Sequence, residues 1–189
     1  MKNQYIFETN RLGFRLWNEN DRENFENMNG NQDVMRFFPK TLDKKGSDEL
    51  LDKINNHFND YGYGLWAVEL KKSNELIGFI GLVNKTSDAY FTPCIEIGWR
   101  LNNVFWNKGY ATEGAKACLE YGFEKLGIDE IYSFTAVVNK PSINVMKKID
   151  LTFMDEFNHP SVDKASILSK HVLYKIINED WCTTNNKGV

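Results

Sequence analysis

The 189-residue sequence is poor in the residue types that build disulfide frameworks and metal sites. It has only three cysteines and three histidines. The cysteines, Cys94, Cys118 and Cys182, cannot all pair with one another, and their spacings match no zinc motif. The histidines are scattered without a partner pattern. We therefore expect no metal site.

Long apolar runs and clusters of basic residues are also absent. No stretch approaches the ~20 apolar residues that span a membrane, and the N-terminal residues lack the pattern of a signal peptide. The formal net charge is −3, and lysines adjoin only in pairs, which are Lys44-Lys45, Lys71-Lys72 and Lys147-Lys148. We expect a cytoplasmic protein that binds neither membrane nor nucleic acid. Its small negative charge fits a cationic amine substrate without identifying one.

Proline-rich linkers and internal repeats are missing too. The four prolines lie at the edges of predicted elements, and hydrophobic residues make up 42% of the chain. A chain of 189 residues is long enough for one well-buried domain and short for two. We predict a single domain over residues 1–189.

Hydrophobic periodicity predicts a mixed α/β fold with six or seven strands and flanking helices. A first strand carries Leu12, and helices follow near Asn20 and after an N-cap at Ser47. Further strands are predicted at residues 65–70, 76–83, 94–101, 131–138, 152–157 and 167–176. Helices are predicted after residue 109 and over 141–149. The strands at 94–101 and 131–138 flank a helix and should be parallel, whereas the other pairs look antiparallel.

The most informative segment is Trp106-Asn107-Lys108-Gly109-Tyr110-Ala111-Thr112-Glu113, which joins a predicted strand to a predicted helix. The first N–H groups of a helix lack intrahelical partners and lie at the positive end of its dipole, so they bind anions well. Gly109 has no Cβ and allows a ligand to approach the backbone. The sequence contains neither Gly-x-Gly-x-x-Gly nor Gly-x-x-x-x-Gly-Lys-Ser/Thr. This turn is either a phosphate site of another class or a helix entry that only packs.

Two motifs carry a resemblance to a known family. The run Glu96-Ile97-Gly98-Trp99-Arg100-Leu101 and the segment at 106–113 resemble the acyl-CoA-binding segment of the GNAT acetyltransferase superfamily. Asn139-Lys140-Pro141-Ser142, which begins 30 residues after Gly109, resembles the family's second signature. Glu8-Thr9-Asn10-Arg11-Leu12 resembles the opening of the ribosomal-protein N-terminal acetyltransferase branch. The sequence departs from the pattern at Trp106 and at Asp150-Leu151.

The resemblance implies an N-acetyltransferase that moves the acetyl group of acetyl-CoA directly to a primary amine, without a metal. It implies a sheet whose parallel strands splay apart to admit the pantetheine arm. The implied CoA-binding residues are Trp99, Arg100 and Leu101 through their backbones, Asn107, Lys108, Gly109, Tyr110, Ala111 and Thr112 at the turn, and Asn139 and Ser142.

The resemblance also implies catalytic roles. Glu96 is the expected general base, although it also fits a solvent-facing position on a strand. Ser142 is expected near the sulfur, where it can donate a hydrogen bond to the departing thiolate, although a serine is also common at a helix start. Many family members place a tyrosine acid where this chain has Met146. Ser142, His171 and Tyr174 therefore stay as alternatives for protonating the thiolate.

The acceptor is the least specified part. It is a protein N-terminal amine or a small-molecule amine such as a polyamine, and the resemblance places its pocket along residues 37–39, residues 61–66 and the C-terminal strands. Those aromatic residues equally suit core packing. A homodimer is the default expectation. The alternative function is a non-catalytic acyl-CoA-binding sensor or scaffold.

Overall fold

The computed structural model describes residues 5–185, and its central element is one twisted sheet. The strands are β1 (Phe7–Glu8), β2 (Leu12–Arg15), β3 (Leu65–Leu70), β4 (Glu75–Lys85), β5 (Cys94–Leu101), β6 (Glu130–Ala136), β7 (Thr152–Asn158) and β8 (Lys170–Ile177). They lie in the order β1-β2-β3-β4-β5-β6-β8-β7. All neighbouring pairs are antiparallel except β5 and β6, which are parallel.

Helices cover both faces of the sheet. They are α1 (Arg22–Gly30), α2 (Gln32–Met35), α3 (Lys44–Tyr61), α4 (Tyr110–Glu120), α5 (Lys140–Lys148) and α6 (Asn178–Asn185). On one face, α4 and α5 bury Leu119 and Met146 against sheet residues. On the other face, α1 and α3 bury Phe25 and Leu51 against Phe79 of β4. The site described below lies where these two layers meet the separated strands.

The architecture confirms the predicted mixed, mostly antiparallel sheet with one parallel pair. It has eight strands rather than six or seven, because the two-residue β1 is too short to show a period in the sequence. The predicted N-cap at Ser47 is wrong. α3 starts one turn earlier, where the side chain of Asp43 accepts a hydrogen bond from the Gly46 amide at 2.8 Å. The terminal helix α6 was not predicted.

The parallel pair separates soon after it begins. β5 is paired along its whole length with β4, from Lys85–Cys94 to Gly78–Leu101, but its pairing with β6 is confined to Glu96 and Tyr132. One residue further along, the Ser133 hydroxyl donates to the Ile97 carbonyl at 3.0 Å. Beyond this point a gap opens between the carboxyl-terminal halves of β5 and β6. The splay implied by the family resemblance is thus present in the fold.

Alternation along β5 sends its side chains to opposite layers. Ile97 and Leu101 are buried in the core that α4 and α5 cover. Arg100 contacts Asn29 of α1 on the opposite face. Glu96 shares the parity of Arg100 and therefore points to the same side as α1 and α3.

Candidate active site

The turn between β5 and α4 leaves the first amides of the helix free. Gly109 is the N-cap with a φ of 81°, and the cap makes no side-chain hydrogen bond to the helix. Asn107 has a φ of 61°, so two left-handed residues reverse the chain within three positions. A Cβ on Gly109 would have only Arg11 Nη2 nearby, at 3.4 Å. The amides of Tyr110, Ala111 and Thr112 therefore face an open approach and suit an anion.

The N-terminal motif fixes this turn from across the sheet. Arg11 Nε donates to Glu113 Oε2 at 2.5 Å, and Arg11 Nη1 donates to the Lys108 carbonyl at 2.9 Å. Thr9 Oγ1 donates to Glu113 Oε1 at 2.5 Å. Burial raises the pKa of Glu113, but the hydrogen bonds from Thr9 and Arg11 outweigh it and leave the pKa below its ordinary value. The sequence showed the motif, but not that Thr9 and Arg11 hold the turn that precedes α4.

The gap between β5 and β6 runs up to this turn. Trp99 packs partly buried against the core, and Leu101 is buried within it, so both offer the ligand only backbone. Trp106 Nε1 donates to the Leu101 carbonyl at 2.8 Å, which occupies one of the backbone groups predicted to bind the cofactor. Trp106 thereby ties the end of β5 to the turn that follows it.

Asn139 and Ser142 form the opposite rim, at the start of α5. Asn139 Oδ1 accepts from the Ser142 amide at 3.3 Å, which makes Asn139 the helix cap. Its Nδ2 donates to Thr135 Oγ1 at 2.9 Å and to Ser142 Oγ at 3.1 Å. The amide of Asn139 is therefore engaged within the protein, and its observed action is to orient the half-buried Ser142 hydroxyl. Thr135 is a member of this network that the sequence did not reveal.

Glu96 lies at the closed end of the gap with Lys85 as its partner. Lys85 Nζ is 3.1 Å from Glu96 Oε2, and only 13% of the Glu96 side chain is exposed. Burial raises the pKa of Glu96, and the Lys85 charge opposes that rise without cancelling it. The same pair raises the pKa of Lys85, chiefly through the Glu96 charge. A buried carboxylate whose pKa is raised accepts a proton more readily at neutral pH than an exposed one does.

The alternatives for protonating sulfur lie in three different places. Met146 is 1% exposed in the core and has no donor. His171 belongs to a cluster of rings with Phe134, Phe157 and His159, and burial lowers the pKa of His171 to about 4. It is therefore neutral at pH 7 and a poor acid. Tyr174 is 5% exposed on the α5 side of the sheet.

The predicted acceptor pocket is reproduced only in part. Phe38 is exposed and stacks over Arg100, with 4.3 Å between the guanidinium carbon and the ring centre. Trp66, however, is fully buried in the core beneath Phe7 and Tyr121. Trp66 is therefore a packing residue, whereas Tyr61 in the same segment is 50% exposed.

Metal and membrane features can be assessed for the same residues. Within residues 5–185, no group of three or more His, Cys, Asp or Glu side chains is arranged to hold a metal ion. No helix in that range combines the length and apolar character needed to cross a bilayer.

A mixed sheet whose separated parallel strands lead into a free helix N-terminus is the arrangement that the family resemblance implies for an acyl-CoA-dependent acyltransferase. The sequence matches the model of the acetyltransferase (GNAT) domain over residues 11–152, and the chain belongs to this family. It is an N-acetyltransferase that acetylates an amine with acetyl-CoA.

Several proteins resemble this chain in sequence or in structure. YkkB of Bacillus subtilis (strain 168) is 30% identical over 146 residues, which are 77% of this chain and 84% of that protein. A GNAT-family acetyltransferase from Bacillus anthracis has a similar structure, with a TM-score of 0.76, 26% identity and coverage of 91% and 98% of the two chains. Spermidine N-acetyltransferase from Vibrio cholerae, solved with CoA and spermine, has a TM-score of 0.73 at 20% identity, with coverage of 92% and 99%. At that identity the similarity is one of fold.

Proposed function

We propose that this acetyltransferase binds acetyl-CoA with its pyrophosphate on the amides of residues 109–112 and its pantetheine arm in the gap between β5 and β6. The observation that carries the proposal is that the gap and the free helix N-terminus follow one another along the chain. An extended ligand with an anionic end can therefore occupy both. Each amide bonded to a charged phosphate contributes about 1.5–3 kcal/mol before the cost of ordering the ligand.

Catalysis is assigned to the walls of the gap, with Glu96 at its closed end and Ser142 at its rim. Glu96, held by Lys85, takes the proton of the incoming amine, and the Ser142 hydroxyl, oriented by Asn139, stabilises the departing thiolate. An α-amine with a pKa near 7.8 is already about 30% neutral at pH 7.4, whereas a lysine amine is only about 0.1% neutral. A carboxylate such as Glu96, whose pKa is raised, is therefore sufficient for an α-amine. Transfer is direct, since burial raises the pKa of the nearby Cys94 thiol to about 11 and keeps it protonated.

The acceptor is a primary amine that approaches β5 from the α1 and α3 side. The Vibrio cholerae protein is named a spermidine N-acetyltransferase. Similarity of fold does not show that this chain uses the same acceptor. The ribosomal-protein branch, the homodimer and the cytoplasmic location stay predictions.

The decisive experiment combines binding with turnover. Binding of acetyl-CoA is measured by calorimetry, and thiol release is followed with a panel of peptides, amino acids, polyamines and aminoglycosides. Gly109→Val should weaken CoA binding at least tenfold, because a branched Cβ obstructs the approach of phosphate and strains a residue with positive φ. Gly127→Val is the matched control, since Gly127 has a φ of 65° and no atom within 4 Å of its missing Cβ.

Three outcomes separate the hypotheses. Weaker CoA binding in the Gly109 variant alone supports the placement of the pyrophosphate. Equal CoA affinity in a folded Gly109→Val protein would contradict it. Tight acetyl-CoA binding with no thiol release for any acceptor would favour the sensor or scaffold function.

A further inference from the structure

Arg100 is an enclosed cation without a counter-charge. Its Nη1 donates to Asn29 Oδ1 at 2.6 Å, and the rings of Phe38 and Phe79 lie 4.3 and 5.2 Å from its guanidinium carbon. Its Nε is buried and has no hydrogen-bond partner. Among the described residues, no carboxylate lies within 4.0 Å of this guanidinium, the distance that defines the ion pairs elsewhere in the protein.

Arg15 shows how this protein treats a buried arginine that has only a structural task. Arg15 pairs with Asp21 at 2.6 Å and with Glu69 at 2.5 Å. Burial lowers the pKa of Arg15, but the bonds to these carboxylates outweigh it and leave the pKa raised. For Arg100, burial acts alone and lowers the pKa to about 10. Arg100 is still protonated at neutral pH, so it stays a positive charge for which the described protein supplies no anion.

The surroundings of Arg100 hold the guanidinium in position without neutralising it. Asn29 is fully buried, and its Nδ2 donates to Ser47 Oγ at 3.3 Å, which directs its Oδ1 at Arg100. The Asn29 carbonyl also accepts from the Leu42 amide at 3.0 Å, which anchors the loop that carries Phe38. Phe38 lies over the guanidinium, and no side chain among the described residues bonds the buried Nε. The Nε–Nη2 edge, opposite the bond to Asn29, is the edge that binds a carboxylate through two parallel hydrogen bonds.

Arg100 also lies on the side from which the acceptor approaches. It is four residues along β5 from Glu96, which corresponds to about 13 Å of strand. Both side chains point away from α4 and its phosphate-binding amides. When the amine of an acceptor lies at Glu96 and its chain runs along this face, a group about four extended residues from the amine reaches Arg100.

We propose that Arg100 is a specificity residue that binds the carboxylate of the acceptor, so that the enzyme favours short peptides over polyamines. This inference rests on the proposed function for its placement of the amine beside Glu96. It adds the chemical class of the acceptor: an amine that also carries a carboxylate.

The test compares acceptors that differ only in the carboxylate. Glycylglycine, triglycine and tetraglycine are each paired with their C-terminal amides, so that the longer peptides span the distance between Glu96 and Arg100, and kcat/KM is measured by thiol release. The wild-type enzyme should prefer the carboxylate member of at least one pair, and Arg100→Gln should reduce kcat/KM for that acceptor roughly 10- to 100-fold. Its partner without the carboxylate should be affected less than threefold. Arg100→Lys keeps the positive charge but cannot form two parallel hydrogen bonds to a carboxylate. Its kcat/KM for that acceptor should lie between the values of the wild type and Arg100→Gln.

The control is Arg36→Gln. Arg36 is exposed and stacks on Phe37 and Trp106 near the same loop, so this change removes the same charge without the buried contact, and it should leave the preference intact. Equal wild-type rates for both members of every pair would overturn the proposal, as would an equal loss for both members in Arg100→Gln. If Arg100→Gln does not fold, the wild-type preference and Arg100→Lys decide.

Failure of the proposed function gives a different result. In that case no acceptor releases thiol from the wild-type enzyme. Arg100 is then judged by calorimetric binding of the same acceptor pairs to the CoA-bound wild-type and Arg100→Lys proteins.

Discussion

Replacing Lys85 with methionine should shift the pH dependence of acetyl transfer. Burial raises the pKa of Glu96 and the Lys85 ammonium opposes that rise. Without the ammonium, the pKa of Glu96 rises further. A base must be ionised to accept a proton, so kcat/KM increases with pH as Glu96 loses its own proton. The acidic limb of the profile should therefore move to higher pH in Lys85→Met.

The size of the shift follows from the ion pair. The nitrogen and oxygen are 3.1 Å apart. Unit charges at this separation interact by about 1.3 kcal/mol at the dielectric constant of water and by about 5 kcal/mol at an effective constant of about 20. Because the Lys85 side chain is 39% exposed, solvent screening favours the lower value. One pKa unit corresponds to about 1.4 kcal/mol, so we expect a shift of about one to two pH units.

The assay is kcat/KM for one acceptor between pH 5 and 10, so that titration of the amine contributes equally to every enzyme. Glu96→Gln should abolish the acidic limb of the profile and reduce turnover at least tenfold. Lys175→Met is the control, because Lys175 forms a similar pair with Glu130 at 3.2 Å and should leave the limb in place. An unshifted limb in Lys85→Met, or a limb that survives in Glu96→Gln, would refute the assignment of Glu96 as base.

Two further predictions concern residues beside the gap. Glu113→Gln should weaken CoA binding and lower stability by about 1 kcal/mol at pH 7, a value limited by the exposure of Arg11. Folding lowers the pKa of Glu113, so its contribution is present above the unfolded pKa and is lost as pH falls through the folded one. The difference in urea unfolding between the wild type and Glu113→Gln should therefore be larger at pH 7 than at pH 3. Cys94→Ser should keep kcat within threefold, because the Cys94 thiol has a pKa of about 11; an acetylated Cys94 found by mass spectrometry would contradict direct transfer.

Local signals made the strand, turn and helix around Gly109 predictable. The alternation of β5 and the position of Gly109 each depend on residues within a few positions of one another, and the structure places them as strand and turn. The cap at Asn139 was not predicted, because the sequence pointed to Ser142 as the residue that begins the helix. The N-cap of α3 was misplaced because serine is a common N-cap residue. The buried hydroxyl of Ser47 instead accepts a hydrogen bond from the side chain of Asn29. Composition alone does not distinguish these two uses of a serine.

Long-range contacts were not predictable from the sequence. Arg11 and Glu113 are 102 positions apart, and Arg100 and Asn29 are 71 apart. Contacts between residues so far apart in the sequence produce no periodic pattern. The sequence therefore indicated Arg100 only as a backbone contact. The shorter Lys85–Glu96 pair depends on the register of β4 against β5, which places Val83 opposite Glu96. The chemistry of the acceptor side therefore emerges only when the strands are paired.

Side chains along β5 alternate between the two faces of the sheet, so the residues that face α4 and the residues that face the proposed acceptor lie on opposite sides. Ile97 and Leu101 hold the sheet against α4, the helix whose amides we propose to receive the phosphate. Glu96 and Arg100, on the opposite face, meet Lys85 and Asn29. A substitution at Glu96 changes the proposed general base, and one at Arg100 changes the charge that faces the amine substrate. Neither removes the contacts of Thr9 and Arg11 that hold the turn before α4. Acceptor chemistry can therefore diverge along one face of this strand while acetyl-CoA binding is retained on the other.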